Sequence, residues 1–504
     1  MAKEKIVFDF LHQKKYVPFL LLFCGAAAAF SMAPYYILPF MFVGLSYLVY
    51  QLFHIQSKRR AFFYGFCFGF AFGAVSMAWL SNALMIDGGT FAYLIPLVWI
   101  GMGLLFGLFY AIPAWLSMYA PDGWRRWCAF GGWFVVFEWV RSWLLTGFPW
   151  NLSGSIWNVS TEMLQSASIW GVYGLSLLTV LTFTTGAFLP RKKPIVLAVL
   201  VLGLFYLGGM WRLYDTMPEN VWGVKLRLVQ PNIPQTLKWD RAKADEHYSK
   251  LIKMSAKDNE DITHVLWPES AVAFLVDKNE GERVRMMSAV RQGGTLITGG
   301  LRGANIDTWE LGNSIFILDD LANIRGFYDK SHLVPFGEYM PMRDILPIDK
   351  IVPIGADFQS GSGVRTIHIP KAPPASPLVC YEIIFSGKVA QKKPRPSWII
   401  NVSNDAWYGL SAGPYQHFDM AVMRAVEEGL PVARATNNGI SAVIDPYGRV
   451  PEMLDLGTEG VLDALLPRAI EATFYAKLGI LVPLFFAFLC IGLSIRFNRR
   501  KGIK

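Results

Sequence analysis

The chain has 504 residues, of which 53% are hydrophobic and only 17% are charged, and its formal net charge is +9. Soluble globular domains carry about 25% charged residues, so this composition excludes a simple series of soluble domains and favours an integral membrane protein. The basic excess does not indicate a nucleic-acid partner, because most of it forms short clusters beside apolar runs, such as 58–60 and 191–193.

Eight apolar runs approach the roughly 20 residues that an α-helix needs to cross a bilayer. We predict seven membrane helices within residues 1–212 and a final one within 474–496. The eight runs are Val17–Ala33, Tyr35–Phe53, Ala61–Leu84, Phe91–Leu116, Trp127–Leu145, Leu164–Phe188, Ile195–Met210 and Phe474–Ile495. A cleaved signal peptide is the alternative for the first run, because basic residues precede it and it contains small residues.

Lysine and arginine are concentrated in every second loop between these runs. The intervening loops, around Pro34, Asp87 and Asn151, hold almost none. The basic positions are Lys3, Lys5, Lys14, Lys15, Lys58–Arg60, Arg125, Arg126, Arg191–Lys193, Arg496, Arg499, Arg500, Lys501 and Lys504. By the positive-inside rule, both termini, including a basic tail over 497–504, lie in the cytoplasm and the 211–473 segment lies outside it.

Residues 220–468 have a different pattern, in which short β-rich runs alternate with helical stretches, as in a soluble α/β domain. The predicted strands are Leu226–Val229, His264–Trp267, Leu296–Gly299, Ser314–Leu318, Pro377–Cys380, Trp398–Val402 and Ser441–Ile444. The predicted helices are Arg241–Lys257 and Tyr415–Glu428.

Cys380 ends one of these strands, and Ser386 begins a predicted short helix after it. The other four cysteines lie in or beside apolar runs, which leaves Cys380 without an obvious disulfide partner. At such a strand-to-helix corner we expect a partly exposed thiol that can be held as a thiolate, next to a backbone N–H that can stabilise an oxyanion. A buried, inert cysteine is the alternative.

Two charged residues also follow strand-like runs. Glu269 comes directly after Trp267 and Pro268, where proline ends the ladder and the next side chain emerges at the sheet edge. Lys330 follows Tyr328-Asp329 in the same way. Each residue alone is typical of an ordinary surface charge, so their meaning depends on their combination with Cys380.

Together these residues match a known order and spacing. The matching segments are 267–269 (Trp-Pro-Glu), 329–339 (Asp-Lys-Ser-His-Leu-Val-Pro-Phe-Gly-Glu-Tyr) and 380–382 (Cys-Tyr-Glu), with further matches over 231–235, 401–409 and 434–439. The chain resembles the carbon–nitrogen hydrolase, or nitrilase, superfamily, and within it the membrane branch formed by the apolipoprotein N-acyltransferase family. Glu382 and Ile384 replace the Asp and Arg common in soluble members, which favours that branch.

The resemblance implies an extracytoplasmic nitrilase-like α-β-β-α sandwich with Glu269, Lys330 and Cys380 as catalytic residues. Glu269 is expected to take the thiol proton, and Lys330 to stabilise the negative charge of the tetrahedral intermediate. The supporting residues are Glu338, which would orient Lys330 or the incoming amine, Tyr381, whose amide would help bind the oxyanion, and Glu382. Expected substrate-binding residues are Trp239, Tyr339, Trp407 and Tyr408, although a core role is an equal alternative for Trp239, Trp407 and Tyr408.

The resemblance also implies the substrates. The acyl donor would be a phospholipid, through the sn-1 chain of phosphatidylethanolamine, and the acceptor would be the α-amino group of a diacylglyceryl-cysteine at the amino terminus of an apolipoprotein. A thioester on Cys380 would link two ping-pong half-reactions in the last step of lipoprotein maturation. We expect a monomer in the bacterial inner membrane, with the catalytic domain on the periplasmic side, no metal, no organic cofactor and no nucleic-acid partner.

Two other functions remain open from the residues. A membrane-tethered amidase or nitrilase-type hydrolase would use water to attack the acyl-enzyme. A transporter or scaffold with a degenerate domain is less favoured, because the Glu269, Lys330 and Cys380 set is complete and no matching Gly/Pro-broken segments occur in two halves.

Glu138 and Arg141 lie three residues apart within the fifth apolar run, where unpaired charge is unfavourable. We expect a structural pair or a position near the outer interface, and the alternative is a grip on a phosphate head group. A metal site is not expected, because the seven histidines show no ligand spacing.

Overall fold

The computed structural model describes residues 13–86, 88–305, 310–339 and 358–495. Several orientation signals, namely Lys3, Lys5, Asp87 and the basic residues after 495, lie outside these ranges. The chain forms two compact units, one made of 1–81, 93–214 and 478–504 and the other of 82–92 and 215–477. We describe each unit separately.

The first unit is helical. Its α-helices, numbered α1 to α8 in chain order, are Val17–Ala28, Leu38–His54, Lys58–Ser76, Ile95–Ser117, Trp124–Arg141, Thr161–Leu164, Ala167–Phe183 and Lys193–Leu213, and Leu481–Ser494 also belongs to this unit. Short 3₁₀ segments extend several of them, as at Ala29–Ser31 and Ser153–Val159.

Three of the described helical segments are long and apolar enough to cross a membrane: Ala92–Ser117, Ala167–Phe188 and Lys193–Leu213. A fourth is added if Lys58–Ser76 and Ala78–Met85, which are bent by 40° at the break between them, count as one span. This is fewer than the eight predicted crossings. Three further apolar helices, Val17–Ser31, Leu38–His54 and Leu481–Ser494, are shorter.

A glycine stripe on α3 explains its close contact with α4. A Cβ added at Gly65, Gly69 or Gly73 would lie 2.6 Å from a main-chain carbonyl oxygen of α4. Membrane helices gain little from hydrophobic burial against each other in lipid, so close backbone approach at small residues supplies much of their association.

Glu138 and Arg141 both hold the loop that follows their helix. Glu138 Oε1 accepts hydrogen bonds from the amide and hydroxyl of Ser153, at 2.8 and 2.9 Å. Arg141 donates to the carbonyl oxygens of Phe148 and Trp150, at 2.8 and 2.7 Å. The prediction of a structural role agrees with these contacts, but the partners lie in the 148–153 segment.

The second unit contains twelve described strands in two six-stranded sheets. The strands are β1 Asn220–Gln230, β2 His264–Trp267, β3 Thr295–Asn305, β4 Glu310–Asp319, β5 Ile324–Asp329, β6 Ile367–Ile369, β7 Ala372–Val379, β8 Trp398–Ser403, β9 Val432–Thr436, β10 Ser441–Ile444, β11 Met453–Leu454 and β12 Gly460–Pro467. The first sheet has the order β12-β1-β2-β3-β4-β5, and the second has the order β11-β10-β9-β8-β7-β6.

Each sheet has a parallel centre: β1, β2 and β3 in the first, and β7, β8 and β9 in the second. One continuous core joins their inner faces, with Leu226 and Ile315 from the first sheet and Val379 and Ile400 from the second. The outer face of the first sheet packs against helix α9, Ala244–Ala256. Helix α11, Ala412–Glu428, follows α10, Glu280–Met286, along the chain and contacts β9 of the second sheet. This arrangement is the predicted nitrilase-like sandwich.

All seven predicted strands occur, although most are longer than predicted. Cys380 was wrongly included in a strand, because β7 ends at Val379 and a 3₁₀ helix covers Cys380–Ile384. Strands β6, β9, β11 and β12 were not predicted, and β5 was indicated only as a strand-like run before Lys330. The second predicted helix begins at Ala412, earlier than predicted, because the Ser411 hydroxyl caps it by accepting from the amide of Gly413.

Candidate active site

Three strand ends supply the principal groups. Glu269 lies two residues after β2, Lys330 directly after β5, and Cys380 directly after β7. A glycine on β3 makes the first position possible, since a Cβ at Gly299 would lie 2.4 Å from the Pro268 carbonyl oxygen and 2.6 Å from the Glu269 Cα. Ligands and reacting groups collect at the carboxyl ends of parallel strands because loops diverge there.

Lys330 lies between two carboxylates. Its Nζ is 2.9 Å from Glu338 and 3.7 Å from Glu269 Oε1, and only 1% of its side chain is exposed. Burial alone would lower the pKa of Lys330, but Glu338 and then Glu269 raise it, and its pKa is above the ordinary value. Lys330 is therefore a permanent cation in a site with little water.

Asn313 of β4 connects the two carboxylates. Its side-chain Nδ2 donates to Glu269 Oε1 at 2.8 Å and to Glu338 Oε1 at 3.0 Å. Its main-chain carbonyl oxygen accepts from the amide of Lys330 at 2.8 Å. This residue was not predicted from the sequence. The available signal was an asparagine at a central strand position, where that residue type is depleted.

Cys380 occupies a sharp corner with a positive φ of 50°, which is unusual for a residue other than glycine. Its residue exposure is 6%, so the expectation of a partly exposed thiol was wrong. Burial and then the charge of Glu269 raise the pKa of Cys380 to about 12, while Lys330 lowers it. The resting thiol is therefore protonated at neutral pH, and its reaction requires a base.

Glu382 ties the Lys330 strand end to the Cys380 strand end. Its Oε1 accepts from the amides of Ser331 and His332 and from the hydroxyls of Ser331 and Tyr328, over 2.7 to 3.1 Å. Its Oε2 accepts from the amide of Val379 at 2.8 Å. One buried carboxylate thus fixes the loop that carries the cation relative to the corner that carries the nucleophile.

A fully buried ionic group lies beneath the Cys380 corner. His417 Nε2 is 3.2 Å from the Cys380 carbonyl oxygen, and its Nδ1 is 2.9 Å from Asp405 Oδ1. Arg434 donates to Asp405 Oδ2 at 2.7 Å and also to Asn401 of β8. These residues were not predicted from the sequence. The available signal was His417, a polar residue within the predicted helix Tyr415–Glu428.

Known proteins match both parts of the chain. A family model described as the apolipoprotein N-acyltransferase N-terminal domain matches residues 24–185, and a carbon–nitrogen hydrolase model matches residues 225–473. An apolipoprotein N-acyltransferase of Rhodopseudomonas palustris is 34% identical over 487 residues, covering 91% of each chain. Another, of Rickettsia prowazekii, is 34% identical and covers 91% of this chain and 94% of that one. The chain belongs to the apolipoprotein N-acyltransferase family.

This membership confirms the acyltransferase interpretation over the hydrolase alternative. The relatives match nearly the whole chain, including the helical unit that a soluble amidase would not need. Among solved structures, the chain is also similar to an amidase of the nitrilase superfamily from Nesterenkonia, over 50% of this chain and 94% of the amidase, with 16% identity and a TM-score of 0.37.

The four expected substrate-binding residues of this N-acyltransferase family member lie in three loops. Trp239 is half-buried in the turns after β1, and half-buried Trp407 and Tyr408 share the 3₁₀ segment Asp405–Tyr408. Burial and then Cys380 raise the pKa of Tyr408 well above its ordinary value, so its phenol stays protonated. Tyr339 is half-buried, and its carbonyl accepts from the amide of Phe336 in the same loop.

Among the described residues, one group has the donor types of a metal site. The ligand atoms of Cys380, Asp405 and His417 lie within 4.8 Å of one another. Asp405, however, is already paired with the buried guanidinium of Arg434, and both His417 nitrogens face oxygen atoms. A bound cation would therefore lie beside a desolvated positive charge, so these residues do not fit a metal ion as arranged.

Proposed function

We propose that this acyltransferase moves an acyl chain from a phospholipid to the α-amino group of an amino-terminal diacylglyceryl-cysteine on an apolipoprotein. The observation that carries the proposal is a buried, protonated Cys380 next to a carboxylate and a permanently charged lysine. These groups suit acyl transfer through a thioester, and the relatives' name supplies the lipoprotein acceptor.

In the first half-reaction, Glu269 takes the proton from Cys380 Sγ, and the thiolate attacks the carbonyl carbon of the phospholipid ester. The S–C bond forms as the carbonyl electron pair moves to oxygen, where Lys330 stabilises the negative charge. When the intermediate collapses, the ester C–O bond breaks. The lysophospholipid oxygen leaves with the proton held by Glu269, and an acyl thioester remains on Cys380.

In the second half-reaction, the neutral acceptor amine attacks the thioester carbonyl. Glu269 takes a proton from the attacking nitrogen, and the C–S bond breaks as the amide forms. The departing thiolate regains the proton, which restores the resting thiol. Glu338 holds the Lys330 ammonium at 2.9 Å, so that it is already in place for both oxyanions.

Both proposed substrates carry lipid anchors, and phosphatidylethanolamine, through its sn-1 chain, is our proposed donor. An amine held next to the thioester by its anchor can act at an effective concentration of about 10⁵ M or more. Water is scarce around the buried thiol, so aminolysis should exceed hydrolysis. Trp239, Tyr339, Trp407 and Tyr408 are the proposed contacts for the acyl chains.

We further propose eight crossings of a bacterial inner membrane, with residues 220–468 in the periplasm and both termini in the cytoplasm. Support comes from the alternation of basic and uncharged loops. The four long candidate spans, the three shorter apolar helices and α5 would together supply eight crossings. A reporter enzyme fused near Asn259 should be active outside the cytoplasm and one near Lys58 inside; a cytoplasmic signal at Asn259 would refute this orientation.

The function is tested with the purified full-length protein in detergent and a phospholipid labelled in its sn-1 chain. Without acceptor, mass spectrometry should find one acyl group on Cys380, and Cys380→Ala should carry none. After addition of a diacylglyceryl lipopeptide with a free amino terminus, the label should move to the peptide as an amide. Cys24→Ala is the matched control, because Cys24 lies in a helix of the other unit.

Two results would contradict the proposal. Steady release of free fatty acid with no labelled peptide would indicate a hydrolase. A thioester that forms equally in Cys380→Ala would place the nucleophile elsewhere.

A further inference from the structure

A second lysine lies next to the proposed base. Lys238 is in the turns after β1, and its residue exposure is 9%. Its Nζ donates to the main-chain carbonyl oxygen of Glu269 at 2.9 Å. This contact joins the loop after β1 to the loop after β2, so the lysine is held by the fold and is not a solvated surface charge.

The titratable groups around Lys238 favour its charged form. Glu269 and Cys380 are the charged or titratable groups that act on it, and both favour the ammonium form. His247 and the flanking residues Pro268 and Ser270 line the same small cavity. Burial opposes these effects and lowers the pKa of Lys238 to about 8, so the ammonium is retained at neutral pH.

We propose that Lys238 is a positioning residue that fixes the Glu269 main chain and supplies a second positive charge favouring proton transfer from Cys380 to Glu269. The proposal rests on the roles of Glu269 and Cys380 in the proposed function. When the Sγ–H bond breaks and the Glu269 O–H bond forms, the negative charge moves from Glu269 to sulfur, near both lysines.

Lys238 and Lys330 then have different tasks. Lys330 is paired with Glu338 at 2.9 Å, which offsets much of its field, and it serves the oxyanion. Lys238 donates to no carboxylate among its described contacts, and its described hydrogen bond goes to a neutral main-chain carbonyl. Its charge is therefore less compensated locally and contributes more to stabilising a nearby thiolate.

Three substitutions separate the charge from the hydrogen bond. Lys238→Arg retains a charge and donors, Lys238→Gln retains a donor without charge, and Lys238→Met retains neither. Lys243→Met is the matched control, because Lys243 is exposed on the same segment and pairs with Glu246. Thermal unfolding of each full-length variant establishes that it is folded.

The first readout is the rate at which iodoacetamide alkylates Cys380 at pH 7.5, followed by mass spectrometry of its peptide. This reaction needs no acyl substrate, so it remains informative even if the proposed function fails. A nearby positive charge typically changes a pKa by about one unit or more, so Lys238→Gln and Lys238→Met should react about tenfold more slowly. Lys238→Arg and Lys243→Met should stay within about twofold of the unsubstituted chain.

The second readout is the pH profile of thioester formation from labelled phospholipid. The stabilisation of the Cys380 thiolate by the Lys238 charge is present below about pH 8 and is lost as pH rises through the pKa of Lys238. The unsubstituted chain should therefore gain less rate above pH 8 than Lys238→Arg does. Wild-type alkylation in Lys238→Gln, or equal slowing in all three folded variants with unchanged pH profiles, would overturn the proposal.

Discussion

The two sheets of the second unit contribute charged groups of different kinds to one site. The first sheet and its loops provide Glu269, Lys330 and Asn313, where two carboxylates share one cation at 2.9 and 3.7 Å. The second provides Cys380 above Asp405, which pairs with the buried Arg434 guanidinium at 2.7 Å and contacts His417 Nδ1 at 2.9 Å. Glu269 on the first side must gain and lose a proton during acyl transfer, whereas the charge of Asp405 on the second side is fixed by its partners.

This difference indicates that the first sheet supplies the carboxylate that exchanges the proton, whereas the second sheet holds the nucleophile on a fixed ionic group. An incompletely paired carboxylate, such as Glu269, can accept a proton. A carboxylate with several strong partners, such as Asp405, has a pKa far below its ordinary range despite its burial, because Arg434 and His417 stabilise its charge. Asp405 is suited to hold the Cys380 corner in its strained conformation, not to exchange protons.

The largest expected effect is on the first side. Glu269→Gln should slow thioester formation by about 10²- to 10⁴-fold, because the amide cannot take the thiol proton. The folded structure should persist, since the new side chain can still accept from Asn313. Rapid-quench mass spectrometry gives the rate and thermal unfolding gives the stability. Acylation at the unsubstituted rate would remove Glu269 from the role of base.

The converse substitution is on the second side. Asp405→Asn should destabilise the folded state by about 3–5 kcal/mol, because the Arg434 guanidinium is left buried without a carboxylate. Thermal unfolding should show this loss, while Asp261→Asn, which disturbs an exposed pair with Lys225, should leave the stability nearly unchanged. Unchanged stability in Asp405→Asn would show that the buried group is not structural.

Glu382 should show both kinds of effect, because its carboxylate connects the two sides. Glu382→Gln places an amide group among backbone donors and loses at least one charged hydrogen bond, which is typically worth about 1.5–3 kcal/mol. We expect a stability loss of that size together with thioester formation about tenfold slower. A change in only one of the two quantities would contradict the proposed link between Lys330 and Cys380.

The smallest expected effect is a pH dependence of folding on the second side. Burial and then Glu427 raise the pKa of Glu428 at the end of α11 to about 7. Because the folded pKa is raised, the contribution of Glu428 to stability is full below its ordinary pKa and is lost as pH rises through about 7. Between pH 5 and pH 8 this loss should be about 2 kcal/mol.

Glu428→Gln should therefore flatten the dependence of the unfolding midpoint on pH over that range. The exposed Glu452→Gln is the control and should leave the slope unchanged. A slope that persists in Glu428→Gln would assign the titration to another group.

Much of the site followed from local sequence, because its residues sit at strand ends. A proline after an apolar run ends the strand before Glu269. The positions of Lys330 and Cys380 at the same edge could be inferred from the strand-like runs before them together with the resemblance. The exact positions of strands β2 and β10 were also predicted, since each is a short buried run that stops at a strand-ending residue, Pro268 or Asp445. Strands such as β12 were missed because they are half-exposed and lack a sharp pattern.

Only the tertiary structure decided how charge is distributed around the nucleophile. Two hydrogen bonds to Glu269, the 2.8 Å bond from Asn313 and the bond from Lys238 to the Glu269 carbonyl, join residues more than 30 positions apart. The burial of Cys380 is likewise a property of the folded structure. The sequence by itself determined which residues can act as nucleophile, base and cation, because those capacities belong to the side chains. Their pKa values and partners depend on desolvation and on distances across the two sheets, which no local pattern specifies.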